Sequence, residues 1–493
     1  MTDNNDLPQL AVIKEIDMLD AVVIGAGVVG GLVARKLCEY GLSVAILEKE
    51  ADVAMGATRA NSAIVHAGYD AKEGTLKAKL NVRGSEMMEG VARELGVKYK
   101  RNGSIVVGFN DEDRKTLEGL LERGTKNGVN GLRILSRLEL LMLEPNIGEG
   151  VTCALYAPTG AIVCPYELCM AAIGNAMDNG ALLYLEYCVE KITESDGVYT
   201  VSSSDGRSIS ARYVINCAGV YSDEVASMVG DNSFSVKTRR GEYMLLDREC
   251  GSHVSATVFR CPSKMGKGVL VTPTVDGNLL IGPTAEDISD KEDTSTTAEG
   301  LARVRALASE QVSGIAFNKV ITSFTGLRAT GSTGDFIINS PKRGFINCAG
   351  IESPGLSASP AIAEYVLSLI EADGEKLTRR EDFVPTRKPM HFFSELDTEG
   401  KNEVIREHPE YAHIICRCEG VSEGEILHAI RTNPKPTTLD GVKRRTRATM
   451  GRCQGGFCTP YIIDLLAAEM GVDYTEVTKS GGDSRINLGK TKG

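Results

Sequence analysis

Four cysteines near the C-terminal end of the chain fall into two pairs, Cys416-x-Cys418 and Cys453-x4-Cys458, separated by 34 residues. Thiolates gathered from two loops make a metal site. Zinc sites usually space paired ligands by two to four residues. The single residue between Cys416 and Cys418 suits that spacing poorly, because adjacent pleated side chains diverge. A 2Fe-2S cluster takes four cysteines, two for each iron, and tolerates varied loops. Gly455 and Gly456 would let the backbone wrap the sulfurs. The cluster is the first reading, zinc the second and unligated thiols the third. Cys164 and Cys169 in "CPYELC" repeat the x4 spacing with no companion pair. Pro165 opens an apolar helix there, so those two read as buried core residues.

His66 is the second residue with chemistry to offer. It sits in "GATRANSAIVHAGYDAKEGTLKAKL", where small residues and Asn61-Ser62 suggest backbone running close to a cofactor. An imidazole with its ordinary pKa of about 6.5 can remove a hydroxyl proton near neutrality. The competing reading is a satisfied structural histidine. His253, His391, His408, His413 and His428 lack comparable surroundings and read as structural or surface residues. Cations able to meet an anionic substrate are Lys264 and Lys267 in "PSKMGKGVLVTP", and Arg328 in "TGLRATGSTGDFII". Lys264 reads as a solvated charge, Lys267 equally as solvated or functional, and Arg328 as the best candidate.

The elements that must position these groups begin with "DAVVIGAGVVGGLVARKLCEYGLSVAILEKE". A β-branched run from Asp20 to Ile24 leads into Gly25-x-Gly27-x-x-Gly30, then a helix-like stretch over 28–39, a stop at Gly41 and a second strand ending at Glu48. Gly25 permits the sharp turn, Gly27 lets backbone N–H groups approach a pyrophosphate, and Gly30 lets helix and strand pack closely. Glu48 is placed for the ribose hydroxyls of an adenosine. That complete strand–turn–helix–strand frame predicts dinucleotide binding. Two later apolar strands, in "RYVINCAGVYSDEVA" and "RGFINCAGIESPGLSASPAIAEYV", both end in Cys-Ala-Gly, and Ser359-Pro360 reads as a helix opening. After 375 a charged, proline-containing stretch resembles a linker. Beyond it, Ser422 and Glu425 form a capping box, a helix is predicted over 438–449, and Thr459-Pro460 starts a third that stops at Gly471.

At 493 residues, two to four domains are expected. A formal charge of −11 argues against general nucleic-acid binding. The opening "MTDNNDLPQ" lacks the basic region of a secretory signal, and the uncharged apolar run over 21–34 is too short to span a bilayer. Thirteen cysteines, an odd number, suit a reducing compartment better than a disulfide scaffold. The expected location is the cytoplasm, or the inner face of a membrane reached through a partner.

The glycine fingerprint with two later returns to the nucleotide edge resembles the FAD-dependent oxidoreductases of the D-amino-acid oxidase and glycerol-3-phosphate dehydrogenase superfamily. "NSAIVHAG" is similar to the "NS-x-I-x-H-x-G" segment of glycerol-3-phosphate oxidases and 2-hydroxyglutarate oxidases. "GRCQGGFC" with its partner pair is similar to the bacterioferritin-associated-ferredoxin-type domain that ends the anaerobic glycerol-3-phosphate dehydrogenase large subunit. The resemblance implies an α/β fold: a Rossmann-like FAD domain (17–98, 150–235, 325–375) interleaved with an α+β substrate domain on a mixed or antiparallel sheet (99–149, 236–324). A linker (376–411), a small helical 2Fe-2S domain (412–475) and a polar tail (476–493) would follow. It implies FAD contacts from Gly25, Gly27, Gly30, Glu48, Asn61, Ser62, Ala218, Gly219, Gly350, Gly355, Leu356 and Ser357. The helix after Ser359 would aim its N-terminus at the flavin. His66 would lie on the substrate side, Arg328 would clamp the substrate's anionic group, and Lys267 would add a point charge. "KRRTR" (443–447) would offset the cluster's negative charge. The implied reaction is oxidation of sn-glycerol 3-phosphate, with electrons leaving through the cluster to a partner subunit or carrier. A 2-hydroxy acid or amino acid as substrate, and a redox-carrier subunit without substrate chemistry, are the alternatives.

Overall fold

The computed structural model describes residues 18–262, 268–388, 390 and 392–490. Lys264, Lys267 and His391 lie outside the described residues.

The fingerprint folds as its spacing requires. Strand β1 (Leu19–Ile24) leads into helix α1 (Val28–Glu39) and strand β2 (Val44–Leu47), which pairs parallel with β1. These strands sit inside an eight-stranded sheet. Its parallel centre runs 182–184, β2, β1, 208–216 and 345–349, so one Cys-Ala-Gly strand enters beside β1 and the other beside that strand. A strand buried on both faces must be apolar throughout, and β2, "VAIL", is buried along its whole length. Helix α2 (Leu76–Leu95) and the helices Pro165–Asp178 and Gly355–Ala372 join α1 over one face, closing the largest apolar core.

A second sheet of nine strands is built mostly from antiparallel pairs, with one parallel pairing between Ser104–Gly108 and Thr257–Arg260. It packs on the helix Ala298–Gln311. The two sheets interleave along the chain, as expected, but two expected borders fall inside this sheet. The strand Cys153–Ala157 pairs with Ser104–Gly108, beyond the division placed at 150. The strand Val320–Gly331 stays paired with Val236–Leu246 to its end, past 325. Apolar strands look alike in both sheets, and only pairing tells them apart.

The helix expected to open at Ser359-Pro360 begins four residues earlier, at Gly355. Pro360 lies inside it and cannot donate to the Leu356 carbonyl. The Ser359 hydroxyl makes that bond instead, at 2.7 Å. The segment after 375 docks on the first core: the Arg380 N–H bonds the Glu39 carbonyl and the Arg387 N–H that of Glu94.

The C-terminal module has its own core around Ile426, Val442, Ile462 and Leu466. The capping box of Ser422 and Glu425 forms as predicted. The next helix, Leu439–Thr446, ends short of 449 because Arg447 turns left-handed, φ 68°. The third runs Thr459–Met470, with Cys458 rather than Thr459 at its cap and Gly471 closing it. Part of the stretch expected as a polar tail is structural: Val477 is buried, and the Leu439 N–H bonds the Thr478 carbonyl.

Candidate active site and metal centre

The glycine-rich turn is shaped to receive a pyrophosphate. Gly25 has φ +105°, and a Cβ there would strike the Cys217 carbonyl arriving from the neighbouring strand. At Gly30 a Cβ would collide with the Gly25 carbonyl, so the helix can meet the turn only without side chains. Glu48, at the end of β2, accepts the Ala26 N–H at 2.8 Å and the Glu50 N–H at 3.1 Å. Burial pushes its carboxyl up to about 7 against the pull of those two N–H donors. Ala218 and Gly219 follow the strand 208–216, with the Ala218 Cα against the Gly25 turn, while Gly350 and the helix start at Gly355-Leu356 follow the next strand, 345–349. These glycines and the acid fit an FAD.

Three residues assigned to the cofactor by resemblance use their side chains to bond protein groups. Asn61 donates to the Ala57 and Thr58 carbonyls and accepts the Ala63 N–H, so its side chain shapes the loop. The Ser357 hydroxyl accepts the His66 N–H at 2.6 Å and donates to the Ile64 carbonyl, tying the histidine's segment to the helix behind it. Ser62 meets the Tyr243 hydroxyl at 3.1 Å.

His66 and Arg328 come together, from opposite halves of the chain, in a cavity of about 220 Å³. Arg328 donates to the Thr284 carbonyl at 2.6 Å. The His66 Nε2 lies 3.3 Å from the Ser353 hydroxyl, and its ring tilts against Phe259 with centroids 5.7 Å apart. Lys77, Arg239 and Glu352 also line this cavity. Lys77 is held by Glu352 at 2.7 Å. None of the three was singled out by spacing. Arg239 belongs to a pair, Arg239-Arg240, whose members turn to opposite faces of a strand, and only the register distinguishes them.

The four C-terminal cysteines converge. Cys416 and Cys418 stand at the turn of a small hairpin, Ile414–Cys416 against Val421–Ser422, and Cys453 and Cys458 on the glycine-rich loop. Cys416 bonds Cys458, which draws its thiol down to about 6 and pushes the Cys458 thiol up. Cys418 bonds Cys453. Among the described residues no three of the four sulfurs lie mutually within 4.8 Å. Two linked pairs, rather than one tight knot around a single ion, fit a two-iron centre better than a tetrahedral zinc. The basic run does not serve the cluster as expected. Arg444 and Arg445 clasp Asp52 at 2.6 and 2.8 Å, and Arg447 holds Asp276 at 2.7 Å and Glu419 at 3.0 Å. Asp52 and Asp276 on the neighbouring domains, and Glu419 within the module, already match those charges.

Known proteins resemble the chain in both parts. A family described as FAD dependent oxidoreductase matches residues 20–369, and one described as BFD-like 2Fe-2S binding domain matches residues 414–468. A glycerol 3-phosphate dehydrogenase of Caloramator mitchellensis is 48% identical over 477 residues, covering 96% of this chain and 99% of that protein. A glycerol 3-phosphate oxidase of Mycoplasma pneumoniae is 32% identical and covers 73% of this chain and 96% of its own length. The human mitochondrial L-2-hydroxyglutarate dehydrogenase is 32% identical over 54% of this chain and 60% of its own. Among solved structures, the dithionite-reduced L-alpha-glycerophosphate oxidase of Mycoplasma pneumoniae with FAD bound superposes with a TM-score of 0.72 at 30% identity, covering 76% of this chain and 99% of that one.

Proposed function

The chain belongs to the FAD-dependent glycerol-3-phosphate dehydrogenase family, and on that premise we propose that it oxidises sn-glycerol 3-phosphate to dihydroxyacetone phosphate and passes the electrons to another subunit or carrier. It is an FAD-dependent oxidoreductase acting on CH–OH, with a 2Fe-2S module at its C-terminal end. When bound, FAD supplies the acceptor for the hydride of a secondary alcohol, and the cluster supplies a one-electron exit.

The rest of the chemistry falls to side chains of this chain. Arg328 presents a planar fork that suits a phosphate oxygen pair. His66 takes the hydroxyl proton, the general-base role that histidine side chains most often fill. The bond from its backbone N–H to Ser357 fixes where the ring begins, and the Ser353 hydroxyl meets its far nitrogen. The observation that carries this reading is the convergence of His66 and Arg328 on one cavity. A resident cluster favours a dehydrogenase over an oxidase, because electrons have an exit besides oxygen. Among the described residues no helix is long and apolar enough to cross a membrane.

The test is an anaerobic screen of the holoenzyme against sn-glycerol 3-phosphate, L-2-hydroxyglutarate and amino acids, following flavin bleaching and cluster reduction together. Bleaching by the phosphate ester alone is expected. Bleaching by a 2-hydroxy acid instead, or by nothing, overturns the reading. Iron analysis of the same sample is expected to give two irons per chain, as a 2Fe-2S centre requires.

A further inference from the structure

Three adjacent strands of the second sheet carry a row of charge to the cavity wall. The strand Val236–Leu246 lies between Glu286–Ile288 and Val320–Gly331. Its register sets Arg239 directly opposite Asp287 on one side and Arg328 on the other. Residues directly opposite in antiparallel pairs share a face, so the three side chains rise together, and both arginines line the cavity. The next residue, Arg240, alternates to the other face. There it pairs with Glu286 at 2.7 Å and Asp293 at 3.1 Å.

Arg239 is gripped through two of its nitrogens: Asp287 takes Nε at 2.5 Å and one Nη at 3.1 Å. The other Nη lies outside that fork. Asp287 is 49% exposed, so water screens the pair and its grip is weak.

We propose, resting on the oxidation of a glycerol phosphate argued above, that Arg239 joins Arg328 in the anion clamp and that Asp287 sets the charge this clamp presents. A phosphate monoester has a second pKa of about 6 and so carries nearly two charges at neutral pH. One guanidinium matches half of that. Two guanidiniums in register repel each other in the empty site, and Asp287 offsets the repulsion. An arriving dianion draws on both arginines, whereas a carboxylate is satisfied by Arg328 alone. The row thereby selects phosphate monoesters over carboxylates of similar size.

The test uses the FAD-loaded full chain and two probes, inorganic phosphate and acetate, titrated through the perturbation of flavin absorbance. Arg239→Gln is expected to weaken phosphate binding by about 10- to 100-fold, the worth of a lost charge-assisted bond, and to leave acetate binding nearly unchanged. Asp287→Asn separates the proposal from a structural role. If Asp287 tunes the clamp, its neutralisation tightens phosphate several-fold. If Asp287 only holds Arg239 in place, phosphate weakens, and the proposal falls. Unchanged phosphate affinity in Arg239→Gln, or equal losses for phosphate and acetate, overturns it as well. Should Arg239→Gln fail to fold, Asp287→Asn and Arg239→Lys decide, the latter through an intermediate loss for phosphate. Anion titration needs no turnover. A wild-type enzyme that ignores sn-glycerol 3-phosphate would therefore sink the functional reading while the phosphate titration still judged the clamp.

Discussion

The imidazole of His66 is one residue on which the proposed chemistry turns, and two serines set its place. Its backbone N–H is bonded to Ser357, 291 positions later in the chain, and its far ring nitrogen meets Ser353. Replacing His66 with Gln keeps the ring's approximate volume and removes its basicity. The expected result is a fall in kcat of about 10²- to 10⁴-fold, the usual worth of a positioned general base, with FAD content and cluster content unchanged. Equal activity at saturating substrate would return His66 to a structural role. Ser357→Ala gives the complementary measurement: it removes the hydroxyl that accepts the His66 N–H, and kcat falls while phosphate affinity holds. At this scale the sequence exposed His66 and Arg328 through their motifs. It assigned Ser357 and Asn61 to the cofactor but did not reveal their protein partners: the Asn61 amide bonds backbone two to four residues away, and the Ser357 hydroxyl bonds backbone of Ile64 and His66, 293 and 291 positions away.

Elements were legible where local chemistry decides them. The helix over 28–39 falls between its expected ends because Gly27 begins it and the Tyr40-Gly41 turn closes it. The box of Ser422 and Glu425 likewise forms as read: the Ser422 hydroxyl accepts the Glu425 N–H at 3.2 Å, and the Glu425 carboxylate accepts the Ser422 N–H at 2.7 Å. Both side chains are buried, and that helix follows directly from the hairpin carrying Cys416 and Cys418. Ser422→Ala is therefore expected to cost about 1–2 kcal/mol, and thermal loss of the cluster's visible absorbance, measured apart from flavin release, should move to lower temperature. The helix at Gly355 was harder to read. Proline normally marks a first turn, but here a serine hydroxyl replaces its missing bond and the helix starts earlier. Strand pairing was harder still. The alternation that sends Arg239 to the cavity and Arg240 away repeats in any strand, and the partner strands come from distant segments.

The whole molecule is held together where the cluster module meets the two larger domains. Asp52, four residues past Glu48, is 2% exposed and lies between Arg444 and Arg445, while Arg447 reaches Asp276 in the turn between two strands of the second sheet. A run of basic residues reads as a field around an anionic cluster until Asp52, nearly 400 positions away, is in view. Asp52 also sits close to the nucleotide turn, since the Ala54 N–H bonds the Ala26 carbonyl. Electron transfer from flavin to cluster is expected to depend on that contact. Burial alone would raise the Asp52 carboxyl, but the two arginines outweigh it and hold it at about 2. A carboxyl depressed in the folded state adds stability that is complete above its unfolded pKa of about 3.9 and fades as pH falls through about 2. Between pH 5 and 8 this clamp is consequently constant, and any pH dependence of turnover in that window arises elsewhere. Asp52→Asn leaves two buried guanidiniums without their counter-charge, a loss of about 3–5 kcal/mol by the usual cost of breaking a buried pair. That cost falls on docking rather than on the cavity, which the variant does not touch. In anaerobic stopped flow, flavin bleaching by substrate should keep its wild-type rate while cluster reduction lags behind it. Matched rates in the variant would mean that the clamp does not govern the approach of the two centres.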